Sequence, residues 1–321
     1  MRFLKETNID FMGLRGWAFA LSAAMILISL GSVYQHHGLR YSIDFAGGSV
    51  LQMKFAETVA VDEVRRAMGS VGLQQAEIQR FGAPDEMLIR IPETGDATAV
   101  DRAKTALTET FAGAELRREE RVGPKVGSEL RRSAINSILL SLGLILAYIT
   151  IRFEFRFAVG AIVALAHDVT ITVGALSLIG HEMSLVTIAA LLTIVGFSIN
   201  DTIVVYDRIR ENLRVPSREA LDKVLNKSIN QVLGRTIITS GTVLLSTIIL
   251  MIFGGKVLWD LAFALTVGVT VGTYSSDFIA TPLVYEWERR WPKRAKGGPR
   301  PAPTGQPVKA KPKAKSKASS N

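Results

Sequence analysis

Three carboxylates lie inside long apolar runs, Asp168, Asp201 and Asp277, with Asp207 and Asp260 closer to run ends. An ionisable side chain in such a run is costly in lipid and usually faces a bundle interior or a wet pathway. Asp201 lies in the run IVGFSINDTIVVYDRI, and Arg235 opens the next run at a similar depth. Burial disfavours a charged carboxylate while a nearby cation favours it, so a site balanced between the two can take up and release protons. Asp201 and Arg235 could pair directly or through water; taken alone, Arg235 could equally snorkel to an interface. Asp168, next to His167, reads either as a second proton site or as an anchor for interhelical hydrogen bonds, and the anchor is favoured. Gly268, Gly272 and Ser276 repeat at four-residue spacing, which is most simply close helix packing.

Other chemistries lack their residues. Without cysteine there is no disulfide, thiolate or Cys-ligated metal. No phosphate-binding G-x-x-x-x-G-K-[ST] loop occurs. His181-Glu182 begins an H-E-x-x pattern, but Leu185 stands where the second His of a zinc protease belongs. His36-His37 has no partner cluster. No metal, cofactor or enzymatic activity is expected.

Six apolar runs would position these groups: Trp17–Tyr34, Ser133–Ile151, Phe157–Ile179, Ser184–Val205, Thr236–Phe253 and Leu258–Tyr285. About 20 helical residues cross a hydrocarbon core, and backbone within lipid must bond within its own element. The first run lacks a small-x-small cleavage pattern after it and is read as a retained span rather than a signal peptide. Arg208, Arg210, Arg214, Arg218, Lys223 and Lys227 fall between the fourth and fifth runs, and Arg152 and Arg156 between the second and third. The positive-inside rule places these loops and both termini in the cytoplasm. Arg131 and Arg132 run against that trend, which a translocated domain tolerates.

The expected organisation is a cytoplasmic N-terminus and first span (1–38), an extracytoplasmic domain (39–132), five further spans (133–286) and a basic cytoplasmic tail (287–321). The domain at 39–132 reads β-α-β-β-α-β, a small α+β ferredoxin-like arrangement. Its strands are Ser49–Phe55, Glu77–Phe81, Met87–Ile91 and Leu116–Val122, its helices Val61–Val71 and Ala97–Phe111. A cytoplasmic amphipathic loop at 206–235 contains a helix, with Ser217 as N-cap, lying at the membrane surface. From Arg289 to Asn321 there are 11 Lys/Arg and no acids; the rest of the chain has 27 basic and 29 acidic residues, so the net charge of +9 belongs to the tail. That tail reads as a disordered topology anchor near lipid, with no nucleic acid expected as a partner.

Four ordered stretches between about Ile43 and Glu286 resemble the SecD/SecF family of bacterial secretion proteins, itself part of the RND transporter superfamily. They are IDFAGG (Ile43–Gly48), VGPKVGSEL (Val122–Leu130), GFSINDTIVVYDRIREN (Gly196–Asn212) and GTYSSDFIATPL (Gly272–Leu283), with weaker support from RTIITSGT (Arg235–Thr242). Asp44, Phe45, Gly47, Gly48, Gly196, Ser198, Asn200, Asp207 and Arg208 stand at motif positions. Length selects the smaller, SecF-type subunit. The resemblance implies an RND-like half of six helices in the bacterial inner membrane that helps pull proteins through the SecYEG channel using the proton motive force. It implies SecD as partner, possible contact with SecA and YajC, and the translocating preprotein as cargo. Asp201 and Arg235 stand where the family is implicated in proton transport, with Asp168 a further member of the expected pathway. A purely structural translocon subunit and an RND-type small-molecule exporter are the rival readings. Asp277 departs from the family, which usually has an apolar residue there, and suggests an extra polar contact or a local change of pathway.

Overall fold

A computed structural model describes residues 7–93, 95–96, 98–215 and 219–291. The proposed N-cap Ser217, Arg218 and the basic tail beyond Trp291 lie outside the described residues.

The chain opens with α1 (Phe11–Gln35), whose N-cap Asp10 accepts from the Gly13 N–H at 2.9 Å. A short helix α2 (Ile43–Ala46) then leads into an inserted domain of β1 (Gly48–Lys54), α3 (Val61–Ser70), β2 (Glu77–Arg80), β3 (Glu86–Ile91), α4 (Ala99–Thr110) and β4 (Glu115–Val122). The sheet order is β2-β3-β1-β4 with every pair antiparallel. Period-two alternation puts Leu51 and Met53 of β1, with Met87, Ile89 and Ile91 of β3, on one face. Val64, Ala67 and Met68 of α3 and Ala103 and Leu107 of α4 cover that face, leaving a dry core. β4, carrying Arg117 to Arg121, is an edge strand exposed along most of its length; charge on an edge discourages further strand pairing.

Five long helices follow: α5 (Pro124–Arg152), α6 (Phe155–Leu178), α7 (Leu185–Arg214), α8 (Leu221–Phe253) and α9 (Gly255–Ser275). The last continues through a π turn at Ser276–Ala280 into α10 (Thr281–Arg290). Five helices (α1, α5, α6, α7 and α8) have the length and hydropathy to cross a bilayer; α9 falls outside that group. α6, α7 and the run from α9 to α10 form the centre, with Phe157, Tyr206, Ile209, Leu225 and Ile229 packed near one end. α5 leans on this centre through Ile149, Leu142 and Ile145 and leaves Leu139, Leu140, Leu144 and Ile151 exposed.

The expected surface helix within 206–235 takes another form. α7 continues to Arg214, and the amphipathic stretch from Leu221 merges with the fifth apolar run into one 33-residue helix. At 1.5 Å per residue that helix is about 50 Å long, well beyond a hydrocarbon thickness of about 30 Å. Asn226 and Asn230 on it hold the start of α1: Asn226 accepts from the Met12 N–H (2.9 Å) and donates to Asp10 (2.7 Å), and Asn230 exchanges two bonds with Ile9. The Gly13 N–H and then Asn226 hold the Asp10 carboxyl below its ordinary value.

Gly47 and Gly48 both have positive φ (76° and 123°), and a Cβ on Gly48 would sit 2.6 Å from the Ile91 carbonyl oxygen. Gly48→Ala therefore meets both backbone strain and a backbone clash and should destabilise the inserted domain by about 1–3 kcal/mol. Urea titration of the full chain in detergent, monitored by limited proteolysis of the inserted domain, measures this.

Candidate functional site

The centre of the bundle is crossed by two hydrogen-bonded clusters. Asp201, 3% exposed, projects from the middle of α7 toward α8 and α9. Its Oδ2 accepts from Ser240 Oγ at 3.3 Å, and Ser240 in turn accepts from Thr273 Oγ1 at 2.7 Å. One residue on, Thr202 and Ser276 hydroxyls meet at 2.9 Å. Arg235 behaves differently from the pairing reading. Its charge acts on Asp201 through space, but it is exposed and the two form no ion pair within 4 Å. Ser240, one and a half turns further along α8, makes the direct contact.

Asp168, 1% exposed, is saturated with donors. Its Oδ2 accepts from Ser198 of α7 (2.6 Å) and Ser275 of α9 (2.8 Å), and its Oδ1 faces His167 Nδ1 at 2.9 Å. His167 Nε2 meets Ser22 of α1 at 3.0 Å, and the Ser22 and Tyr274 hydroxyls meet at 3.1 Å. Four helices thus converge on one carboxylate, the geometry of an anchor. Gly272 makes this possible: a Cβ there would lie 3.0 Å from Ser198 Cβ and 3.5 Å from Asp168 Oδ2. Gly268 packs against Ile194 in the same way, so the four-residue repeat is a close-packing stripe.

The glycine motif forms a second centre where the inserted domain meets the bundle. Asp44 Oδ2 accepts from the Leu185 N–H at 3.0 Å, which caps the first turn of α7 beside the N-cap Ser184. Phe45 is buried, and Gly47 packs against Pro124 at the start of α5. Backbone bonds join Ser42 to Met183 and Met183 to Arg40, and Arg90 of β3 grips Glu182 through both guanidinium ends. The α6–α7 connection is therefore fastened to the domain by main chain, cap and ion pair.

The remaining motif positions scatter. Ser198 lies in the Asp168 cluster, whereas Gly196 and Asn200 sit on the exposed face of α7. Asp207 is paired with Arg152 at 3.4 Å, and Arg208 reaches Gln231 at 2.7 Å and pairs with Glu211. Asp260 pairs with His181 at 2.5 Å, more than simple solvation. Asp277 is 3% exposed on the π turn. Sequence reasoning missed Ser22, Ser240, Thr273, Tyr274 and the Arg90–Glu182 pair. Hydroxyls give no signal of their own in an apolar run, though Ser240 lies in the RTIITSGT stretch.

An apolar helical bundle that seals carboxylates in its interior and carries a soluble insert after its first helix is a multi-pass membrane protein with an extramembrane domain. Residues 102–290 match the C-terminal model of the SecD/SecF protein export membrane proteins, and residues 36–59 match the SecD/SecF GG motif. The protein translocase subunit SecF of Desulfurispirillum indicum is 43% identical over 90% of this chain and 94% of the relative. The translocase subunit SecDF of Thermus thermophilus is 41% identical over 90% of this chain, which spans 40% of that longer protein. A crystal structure of the Thermus SecDF, a translocon-associated membrane protein, superposes with a TM-score of 0.81 at 40% identity, covering 89% of this chain and 39% of that one. The chain belongs to the SecD/SecF family.

Asp168→Asn replaces an acceptor of hydroxyl bonds with an amide that must also donate, and should lower stability by about 1–3 kcal/mol, because a buried hydrogen-bonding group left unsatisfied costs about that much. Thermal unfolding in detergent checks this. Glu182→Ala should leave the bundle folded but broaden the distance between spin labels on the inserted domain and on the α6–α7 connection, read by pulsed electron resonance.

Proposed function

We propose that this chain is an accessory subunit of the Sec protein translocase, working with SecD to drive protein export with the proton motive force. The observation that carries the reading is Asp201, buried at the meeting of α7, α8 and α9 with a single hydroxyl donor and a distant guanidinium. Protonation there cancels its attraction to Arg235 and releases its hold on the Ser240–Thr273 chain. α7, α8 and α9 then repack.

α7 transmits that change outward. Leu185 lies 16 residues from Asp201, about 24 Å along the helix. There Asp44 and the Arg90–Glu182 pair fasten it to the inserted domain. This fastening supplies a direct route from α7 to the inserted domain. Asp168 joins the pathway as the fixed point against which α7 moves.

In this reading the run from α9 to α10 is the sixth crossing, supported by its packing among the other long helices. The order β2-β3-β1-β4 supports a ferredoxin-like insert. The membrane is the bacterial inner membrane, with the insert outside and both termini in the cytoplasm, as the Arg and Lys residues around Arg152, Arg208 and Lys223 favour. The exposed apolar faces of α5 and α8, including Leu139, Leu144, Leu245 and Ile249, suit lipid and SecD helices. The SecYEG channel, SecA, YajC and the preprotein are the further partners.

Asp201→Asn should still assemble with SecD, while export of a secreted protein into vesicles under an imposed proton gradient falls to the level found without one. Normal assembly with normal gradient-driven export would leave the chain a structural translocon subunit.

A further inference from the structure

The mechanism above leaves one buried acid unused. Asp277 projects into the bundle from the π turn at Ser276–Ala280 and is 3% exposed. Its Oδ1 is sealed from solvent with no hydrogen-bond partner. Among the described residues no Lys, Arg or His lies within ion-pair distance of it. We infer that Asp277 is a second proton-binding carboxyl of this bundle, holding a proton while its neighbour Asp201 carries the charge.

An ionised carboxylate without donor or cation is the most costly arrangement a low-dielectric interior can hold, and the group neutralises instead. The neighbours leave Asp277 no other relief. From α7, Asp201 directly precedes Thr202, whose hydroxyl meets that of Ser276, the residue before Asp277, at 2.9 Å, so the two carboxyls are neighbours and a charge on one repels a charge on the other. From α6, His167 and Asp168 are committed to each other and to Ser22, Ser198 and Ser275. From α1, Arg15 is taken by Glu286 of α10 at 3.0 Å. From α8, Arg235 acts on Asp201. Two neighbouring carboxylates do not both ionise when only one is supported, and the supported one is Asp201, through Ser240.

The backbone shows how the acid comes to face inward. A π turn adds one residue to a helical turn and re-aims the side chains after it; such turns cluster at functional sites. Here it begins at Ser276, directly after Ser275; these two serines bond to the Thr202 and Asp168 clusters, and Thr281 Oγ1 at its end donates to the Ser276 carbonyl at 3.2 Å. Thr273, one turn before Asp277, donates into the chain that ends on Asp201. Asp277 thus belongs to the same polar seam.

The inference deepens the reading of Asp201 as the coupling carboxylate, but its test needs no export. Infrared spectra of the full chain in lipid vesicles at neutral pH should contain the carbonyl stretch of a protonated carboxylic acid, shifted in heavy water. That band should be lost in Asp277→Asn and in Asp277→Leu and retained in Asp201→Asn. Asp277→Leu fills the site with an apolar side chain and keeps the test valid if the amide is poorly tolerated. Absence of the band from the parent protein, or its survival in Asp277→Leu, overturns the inference. Loss of the parent's band when potassium is exchanged for sodium assigns the carboxyl to a metal cation and also overturns it. Each of these failures leaves the export result for Asp201→Asn standing.

Discussion

The need to compensate carboxylates in a water-poor interior organises this bundle. Asp168 meets that need in full: two hydroxyls and an imidazole surround it, and each comes with its own helix or fixes another. The arrangement demands close approach, so the residue of α9 facing Ser198 is Gly272, where even a methyl group would press at 3.0 Å. Small residues and buried polar groups are thus one device. The glycine lets the backbones meet, and the hydroxyls then define the register in which they meet.

A second constraint acts where the inserted domain meets the bundle. A helix start exposes N–H groups that need acceptors. α7 obtains one from its own Ser184 and another from Asp44, which belongs to the segment leading into β1. That segment turns sharply only because Gly47 and Gly48 adopt positive φ. The acid and the glycines of IDFAGG therefore serve one purpose: they bring β1, β3, α5 and the start of α7 to a single junction. The Arg90–Glu182 pair closes it from the side.

Much of this was legible in the residues. Apolar run length located the five helices that can cross a bilayer, and alternation in SVLQMK and EMLIRI located β1 and β3 because each buries one face. The seam was legible only at its charged members. A charge in an apolar run stands out, whereas Ser22, Ser240 and Thr273 read as ordinary helix residues until their partners are known. Long-range pairing such as Arg90 with Glu182 leaves no trace in local spacing. The surface helix expected before the fifth run failed for a related reason. An amphipathic stretch is equally compatible with lying on a membrane and with packing against neighbouring helices, and Asn226 and Asn230 bind the start of α1. α8 therefore continues straight.

The two aspartates differ in how firmly they are held. Asp168 meets two hydroxyls and an imidazole, so moving it breaks contacts to several helices at once. Asp201 has one 3.3 Å bond and no ion pair, so fewer contacts hold it in place. The four residues from Ser198 to Asp201 place the firmly held contact and the loosely held one about one turn apart on the same helix. α7 is pinned at its N-terminal end by Asp44 and in its middle by Asp168. Any repacking around Asp201 must therefore bend or rotate the segment beyond the pin, or pull on the junction above it.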